Sequence, residues 1–391
     1  MNIKQLVQER GVCSLPWVHT DISLTNNKVT TCCKYDGNIG TTNEPFPVVW
    51  KRDFKQLRDN LENGVKVSEC HACDVPESAF SYKKWKNRQF LNRSEFLDFE
   101  AEEGQLPKVF TFTLKNICNL ACRMCGPVNS SLLDSMTRKS PVLQKYWPVA
   151  KQNNKFDVEN FRGSFGNCEE IAFGGGEPTM DEDCVKLIKM AKSESNKLRS
   201  AGLNTNMAII NDDVLSELNT IEGALVYLKI SFDGPPHIHD YIRYKCDFDV
   251  VRKNMHYIVD TYPNIRFSVN TNIQLFNAGY AVETMQLVHE LELELGVKFL
   301  ELTPVPIVNR PFIHPSILPQ DIKDLYLSKL EAWSGTTTIP GSERYIPTAI
   351  AMLKEQPRST LDKFIEFTNE FDRMAGTKCS DTYPELASIF A

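Results

Sequence analysis

Val109-Phe-Thr-Phe-Thr-Leu114-Lys-Asn-Ile-Cys118-Asn-Leu-Ala-Cys122-Arg-Met-Cys125 is the stretch that decides the fold of this chain. Its first part, Val109 to Leu114, is β-branched and aromatic, as a strand requires. Its second part is a loop carrying Cys118, Cys122 and Cys125. Three thiolates so close together can hold three corners of a cubane iron–sulfur cluster, leaving the fourth iron open to a chelating molecule. Two other uses stay open on the residues alone. A zinc site needs a fourth Cys or His, and a ferredoxin-type cluster needs a fourth Cys. Neither residue type follows before Cys168.

Downstream, strand-like runs recur at Glu170–Phe173, Leu203–Ala208, Val226–Phe232, Ile265–Asn272 and Lys298–Thr303. Helix-length segments lie between most of them, notably Glu182–Leu198, Phe248–Thr261 and Ala281–Leu295. Strand alternating with helix predicts an α/β fold with a parallel sheet or barrel. The six units found are fewer than the eight of a complete TIM barrel. Pro306, Pro311, Pro315 and Pro319 then interrupt regular structure. Helices are expected at Asp321–Trp333, Pro347–Lys354 and Thr360–Met374, a C-terminal helical extension over 306–391.

Upstream, residues 1–80 read as a small cysteine-rich α+β domain with short strands and one helix, Trp50 to Asn63, closed by Gly64. Residues 81–106 read as a charged helical linker. Lys83, Lys84, Lys86, Arg88 and Arg93 precede Glu95, Asp98, Glu100, Glu102 and Glu103. Tyr82, Trp85 and Phe90 among the cations could grip an anionic partner, but the charges cancel and a solvated connector is the favoured reading.

The 391 residues carry 44 Lys+Arg against 50 Asp+Glu, a net charge of −6. That balance argues against a broadly basic nucleic-acid surface. No apolar run approaches the roughly 18 residues of a membrane span, and the N-terminus is too polar for a secretory signal. A soluble, cytoplasmic protein is expected. Of the 12 cysteines, eight fall at or before Cys125. In a reducing compartment such clustering points to metal rather than to disulfides. Cys168, Cys184 and Cys246 read as lone, buried, small hydrophobes.

Phe173-Gly-Gly-Gly-Glu-Pro-Thr179 follows at the end of the next strand, where glycines let a ligand approach the backbone. With it, the chain resembles the radical S-adenosylmethionine (radical SAM) enzymes. The C-x3-C-x2-C loop, Gly175-Gly176-Glu177-Pro178 and Ser231-Phe-Asp233-Gly234 stand in that family's order, and the resemblance covers about residues 107–305. It implies a partial (β/α)6 TIM-like barrel with a 4Fe–4S cluster on Cys118, Cys122 and Cys125, and S-adenosylmethionine chelating the open iron. It further implies reductive cleavage to a 5′-deoxyadenosyl radical that abstracts a substrate hydrogen. On this resemblance Gly175, Gly176 and Glu177 receive the methionyl amine, and Asn206 lies at a third strand end, followed by Met207 in place of the family's Gly. Ser231 and Arg243 hold the methionyl carboxylate, and Asp233 and Asn270 contact the ribose. Taken alone, Asp233-Gly234 also reads as a turn and Arg243 as a surface ion pair. The general base is not assigned.

The upstream cysteines, Cys13, Cys32, Cys33, Cys70 and Cys73, resemble the SPASM/twitch auxiliary-cluster module, here placed before the barrel rather than after it. The glycine usual five residues before the second cysteine is Asn27, which tolerates a left-handed turn. The resemblance implies a second 4Fe–4S cluster on Cys13, Cys32, Cys70 and Cys73, with Cys33 able to exchange for Cys32. Too few cysteines remain for a full two-cluster SPASM domain. Zinc at Cys70-His71-Ala72-Cys73 stays open as an alternative. The implied function is modification of a peptide or protein, supplied with electrons by a low-potential donor such as flavodoxin or ferredoxin. A small carbohydrate or nucleotide substrate is the second enzyme reading. A non-catalytic iron–sulfur carrier is the alternative of another class.

Overall fold

The structure is a computed structural model describing residues 5, 12–74, 104–150, 156–333 and 341–390. Most of the expected linker over 81–106 therefore lies outside the described residues, and Gly104 to Leu106 are turn and coil. The fold is α/β with a mostly parallel central sheet. In chain order the strands are β1 (His19–Ser23), β2 (Lys28–Thr30), β3 (Gly40–Thr41), β4 (Val109–Thr113), β5 (Ala121–Cys122), β6 (Glu170–Gly174), β7 (Ser200–Thr205), β8 (Leu225–Ser231), β9 (Arg243–Tyr244), β10 (Ile265–Ile273) and β11 (Leu302–Pro306). No helix among the described residues is long and apolar enough to cross a membrane.

The chain forms two compact units. The first comprises Met1–Lys115, Lys151–Leu203 and Asp212–Val226. In it β4 pairs in parallel with β6, Val109 opposite Glu170 and Thr113 opposite Gly174, and β6 pairs in parallel with β7. On its other side β4 pairs in parallel with β1, from His19 opposite Val109 to Ser23 opposite Thr113. The cysteine-rich segment expected as a domain over 1–80 thus shares a sheet with the first strand after the linker. Thr20 and Ile22 are buried on β1, and His19 bonds Thr111 Oγ1 at 3.0 Å and the Thr31 carbonyl at 2.7 Å. β2 and β3 continue antiparallel from β1. Asn27, before β2, takes φ 54°.

The helix expected from Trp50 begins earlier and runs Phe46–Glu62, because Pro47 suits a first helical turn, and Gly64 follows it at φ 70°. It buries Phe46, Val49, Trp50, Phe54 and Leu57, a single stripe of period 3.6. Phe46 packs on Phe110 of β4 at 5.5 Å and stacks on Phe161 at 5.5 Å, joining this helix to the sheet through aromatic rings.

The second unit comprises Asn116–Ala150, Asn204–Asn211 and Tyr227–Ala391. β10 and β11 pair in parallel, Val269 opposite Leu302 and Ile273 opposite Pro306. The last strand was expected at Lys298–Thr303 but forms over Leu302–Pro306, through Pro304. It ends the strand order, and an edge strand tolerates the missing N–H of proline. The helices Phe248–Thr261 and Ala281–Leu295 begin and end where the sequence predicts, the first capped by Asp247 and the second stopped by left-handed Gly296. Helices Gln320–Trp333, Ser342–Lys354 and Leu361–Ala375 follow, the middle one starting before its Pro347.

Candidate active site

Residues 116–125 fold onto the start of helix Ser131–Arg138 in the second unit. Ser130 caps that helix, accepting from Leu133 N–H at 3.0 Å while its hydroxyl donates to Leu120 O at 2.5 Å. Cys118 N–H donates to Ser131 Oγ at 3.2 Å, and Asn116 Nδ2 donates to Pro127 O at 2.9 Å. The far end of the loop is fixed by backbone pairing. β5 and β9 form a two-residue antiparallel ladder with Cys122 opposite Arg243, and Arg123 N–H donates to Ile242 O at 2.9 Å. Arg123 is fully buried, its Nη2 2.5 Å from Asp372 Oδ1.

Each thiol of the loop has its own polar neighbour. Asn206 Nδ2 lies 3.9 Å from Cys118 Sγ, Arg243 Nη1 lies 3.6 Å from Cys122 Sγ, and Cys125 Sγ lies 3.8 Å from the Gly126 carbonyl. Burial raises the Cys122 thiol well above its ordinary range, against the pull of Arg243, and Cys125 and Cys118 raise it further. Burial likewise raises Cys125, opposed by the Gly126 backbone, Arg243 and Arg310. Thiols that oppose one another's ionisation release their protons to solvent when they bind a metal centre.

Arg243 is buried at 5 % exposure, so it is no surface ion pair. Its Nη2 sits 2.7 Å from Asp233 Oδ2. Asp233 Oδ1 accepts from Asn272 N–H at 2.8 Å. Burial pushes the Asp233 carboxyl up despite Arg243. Burial pulls the guanidinium down, but Asp233, Cys122 and Cys246 outweigh it and the net shift is upward. Arg243 Nε is a buried donor with no hydrogen-bond partner among the described residues, and Nη2 meets only the Asp233 carboxylate. Buried donors left unmatched are costly, and a planar carboxylate is the group their fork fits. This donor set fits the methionyl carboxylate of S-adenosylmethionine, beside thiols that fit an iron–sulfur cluster. Asp233, expected at the ribose, accepts from Asn272 N–H through Oδ1 and meets Arg243 in the ion pair through Oδ2.

Asn206 is likewise engaged. Its Nδ2 donates to Asn119 Oδ1 at 2.8 Å and its Oδ1 accepts from Ala208 N–H at 2.8 Å. Met207, standing where the family has glycine, takes the left-handed φ of 60°, held by Thr205 Oγ1 at 3.0 Å and Asn254 Nδ2 at 2.8 Å. Ser231 ends β8 half-buried, and Asn270 lies half-buried on β10, where its carbonyl accepts from Phe232 N–H at 2.9 Å.

In the first unit, Gly175 takes φ 116°, and a Cβ there would meet Leu114 N at 2.7 Å. The glycine is therefore required by the neighbouring strand end itself. Gly176 N–H donates to Lys115 O at 3.2 Å. Glu177 is buried and accepts from Thr179 N–H and Oγ1 at 3.2 and 2.9 Å.

The upstream thiols also sit in the first unit. Cys32 is buried with Leu15, Trp17 and Val18, and Cys13 packs against this group. Burial pushes Cys13 up to about 12, and Cys32, Cys70 and Cys73 all raise it further. Those are the four ligands expected of the auxiliary cluster. Cys33 is exposed. His71 Nδ1 lies 3.3 Å from the Ser68 carbonyl.

Asn119 and Arg310 escaped the sequence reading. Asn119 is the partner of Asn206, and its place beside Cys118 was the available signal. Arg310 Nη2 would lie 3.0 Å from a Cβ on Gly126, next to Cys125. It stands in a proline-rich stretch without periodicity, so nothing in the sequence pointed to it. Cys246, read as a lone small hydrophobe, lies 3.5 Å from His239 Nε2.

Residues 113–288 match the family model described as the Radical SAM superfamily. No curated protein matches in sequence. Among solved structures it is similar to native anSMEcpe with bound AdoMet and Cp18Cys peptide, at 20% identity and TM-score 0.35, over 57% of this chain and 59% of that one. It is also similar to Streptococcus suis SuiB bound to precursor peptide SuiA, at 11% identity and TM-score 0.37, over 86% of this chain and 72% of that one. Escherichia coli HemN, a coproporphyrinogen III oxidase described as a radical SAM enzyme, matches at 14% identity and TM-score 0.32, over 68% and 52%. The chain spans less than two thirds of the first of these structures. Likeness at these scores carries no argument about what this chain does.

Proposed function

We propose that this chain is a radical SAM enzyme that modifies a peptide or protein. The observation that carries the reading is the buried Arg243, paired through the backbone with Cys122, its fork set between that thiol and Asp233 with Nε left as a buried donor without a hydrogen-bond partner among the described residues. A carrier with no cofactor to bind has no use for such donors. Cys118, Cys122 and Cys125 would hold three irons of a 4Fe–4S cluster. When bound, the cluster and S-adenosylmethionine, given one electron from a low-potential donor of the flavodoxin or ferredoxin kind, supply a 5′-deoxyadenosyl radical that takes a substrate hydrogen.

The protein's own part is to bind and aim. Arg243 and Ser231 would hold the cofactor's carboxylate, and the Gly175-Gly176-Glu177 strip its amine. Asp233 holds Arg243 by charge, Asn206 steadies the cysteine loop, and Asn270 would lie toward the ribose. Cys13, Cys32, Cys70 and Cys73 would close an auxiliary 4Fe–4S cluster for electron transfer or for shaping the pocket. Their mutual influence through Cys13 supports that set, and the module they resemble favours a peptide substrate.

The test is anaerobic reconstitution with iron and sulfide, strong reductant and S-adenosylmethionine. Formation of 5′-deoxyadenosine and methionine is expected, and replacing Cys118, Cys122 and Cys125 together with Ala should abolish it. A fully iron-loaded protein that forms neither product, with or without candidate peptides followed by mass spectrometry, would leave the carrier reading standing.

A further inference from the structure

His239, in helix Pro236–Ile242, is fully buried in the second unit. The Asp233 backbone N–H donates to its Nδ1 at 3.2 Å. A ring nitrogen that accepts carries no proton, so the neutral imidazole holds its proton on Nε2. Burial, reinforced by the charge of Arg243, keeps the ring neutral. Nε2 faces Cys246 Sγ at 3.5 Å, so the Nε2–H donates to sulfur. Cys246 is tied back in turn, its N–H donating to the Arg243 carbonyl at 2.8 Å. Between them Lys245 takes φ 75°, a conformation costly for a side chain that long and held only when its surroundings enforce it. The contacts close a ring: Arg243 to Asp233, Asp233 to His239, His239 to Cys246, Cys246 to Arg243.

The same place resembles a metal site, since ligand atoms of His239, Asp240 and Cys246 lie within 4.8 Å of one another. The tautomer decides against it. Metal on Nε2 would send the ring proton to Nδ1, straight against the Asp233 N–H. Asp240 accepts from the Phe248 backbone N–H, while its Oδ1 is buried with no hydrogen-bond partner among the described residues.

We propose that His239 is a positioning residue for the cofactor site: through the Asp233 N–H it holds the Asp233–Arg243 pair in aim at Cys122, and Cys246 holds its ring. This rests on the reading of Arg243 as the holder of the cofactor's carboxylate. His239→Asn keeps an acceptor near the Nδ1 position. His239→Gln carries its amide near Nε2 and leaves the buried Asp233 N–H without a partner. In the reconstituted holoprotein, S-adenosylmethionine affinity should fall about tenfold or more in His239→Gln, as expected for an orphaned buried donor, with iron content unchanged. His239→Asn should recover most of that loss. Cys246→Ser should keep affinity and Cys246→Val should lower it.

Equal affinities in the Asn and Gln variants would overturn the proposal, as would losses that track iron content and melting temperature alone. Zinc in the purified protein that disappears with His239→Asn would make the trio a metal site instead. Should wild type bind no S-adenosylmethionine, the reading of Arg243 fails, and this proposal with it. Isotope-labelled histidine in the metal-free protein gives an independent readout by NMR: an Nδ1–H tautomer at His239 overturns the proposal whatever the cofactor does.

Discussion

Cys122 and Arg243 face each other across a two-residue antiparallel ladder although 121 positions separate them in the chain. The pairing puts a guanidinium nitrogen 3.6 Å from a thiol expected to ligate iron. Because backbone hydrogen bonds hold the two residues, their relation does not depend on a side-chain rotamer. It also makes the arginine a member of two partnerships, one with sulfur and one with the buried Asp233 carboxylate.

Removing that arginine should therefore have two separable effects. Arg243→Ala should weaken S-adenosylmethionine binding by roughly 1.5–3 kcal/mol, the scale of a charge-assisted hydrogen bond. It should also cost about 3–5 kcal/mol of stability by stranding Asp233. The double variant Asp233→Asn/Arg243→Ala should regain much of the stability and none of the affinity. Isothermal titration and chemical denaturation measure the two quantities, and affinity recovering together with stability would return Arg243 to a purely structural role. Arg243→Lys should rescue binding only in part, since an ammonium lacks the planar fork.

Iron counting separates the two thiol groups. Wild type should hold about eight irons per chain, and the variant lacking Cys118, Cys122 and Cys125 about four. Cys32→Ser should lose the upstream irons whereas Cys33→Ser, at an exposed position, should keep them. Zinc in place of those residual irons, or loss of all metal from a folded triple variant, would refute the auxiliary cluster.

His314 gives a pH dependence. It is fully buried, its Nδ1 lies 2.8 Å from Ser316 Oγ, and burial with the nearby Arg358 charge pulls it down to about 4. A depressed folded value leaves its stability contribution complete above about 6.5 and removes it as pH falls toward the folded value. The loss is about 3 kcal/mol at most, from 1.36 kcal/mol per pKa unit. Denaturation of His314→Asn, which retains an acceptor for Ser316, should show a shallower decline over that window. Parallel pH curves for the two proteins would exclude the histidine as its source.

Two glycines with positive φ should respond differently to alanine. At Gly163 nothing lies within 4 Å of the added Cβ, so Gly163→Ala should cost about 1–2 kcal/mol, the price of the left-handed backbone alone. At Gly175 the Cβ meets the Leu114 backbone, which cannot swing aside. Gly175→Ala should cost more than Gly163→Ala and displace the β4 strand end, measurable as a lower melting temperature and altered amide exchange around Leu114.

The sequence made local structure legible wherever neighbours along the chain decide it. Phe248–Thr261 and Ala281–Leu295 were bounded correctly because caps and apolar periodicity are local signals. Strand ends were less legible: Leu203–Ala208 was expected where Ser200–Thr205 forms, since flanking apolar residues look alike whether paired or not. β1 was missed as a partner of β4 because the pairing joins positions separated by some ninety residues, which periodicity cannot report. The spacing of Cys118, Cys122 and Cys125 carries the expectation of metal chemistry. The bond from Asn206 to Asn119, the approach of Arg310 to Gly126 and the tautomer of His239 each arise from tertiary placement of ordinary residues, and no local pattern announces them.

The ladder between β5 and β9 has a consequence in time. On the ribosome, Cys13, Cys32, Cys70 and Cys73 all emerge well before Cys118. The loop of Cys118 to Cys125 then emerges long before the partner that fixes its far end, because Arg243 is translated 121 residues after Cys122. Until synthesis has passed residue 244, three thiols hang on an unpaired strand beside no guanidinium. On the proposed reading, the upstream thiols could take up their cluster early in translation, while Cys118, Cys122 and Cys125 have a finished site to fill only once residue 244 has been made.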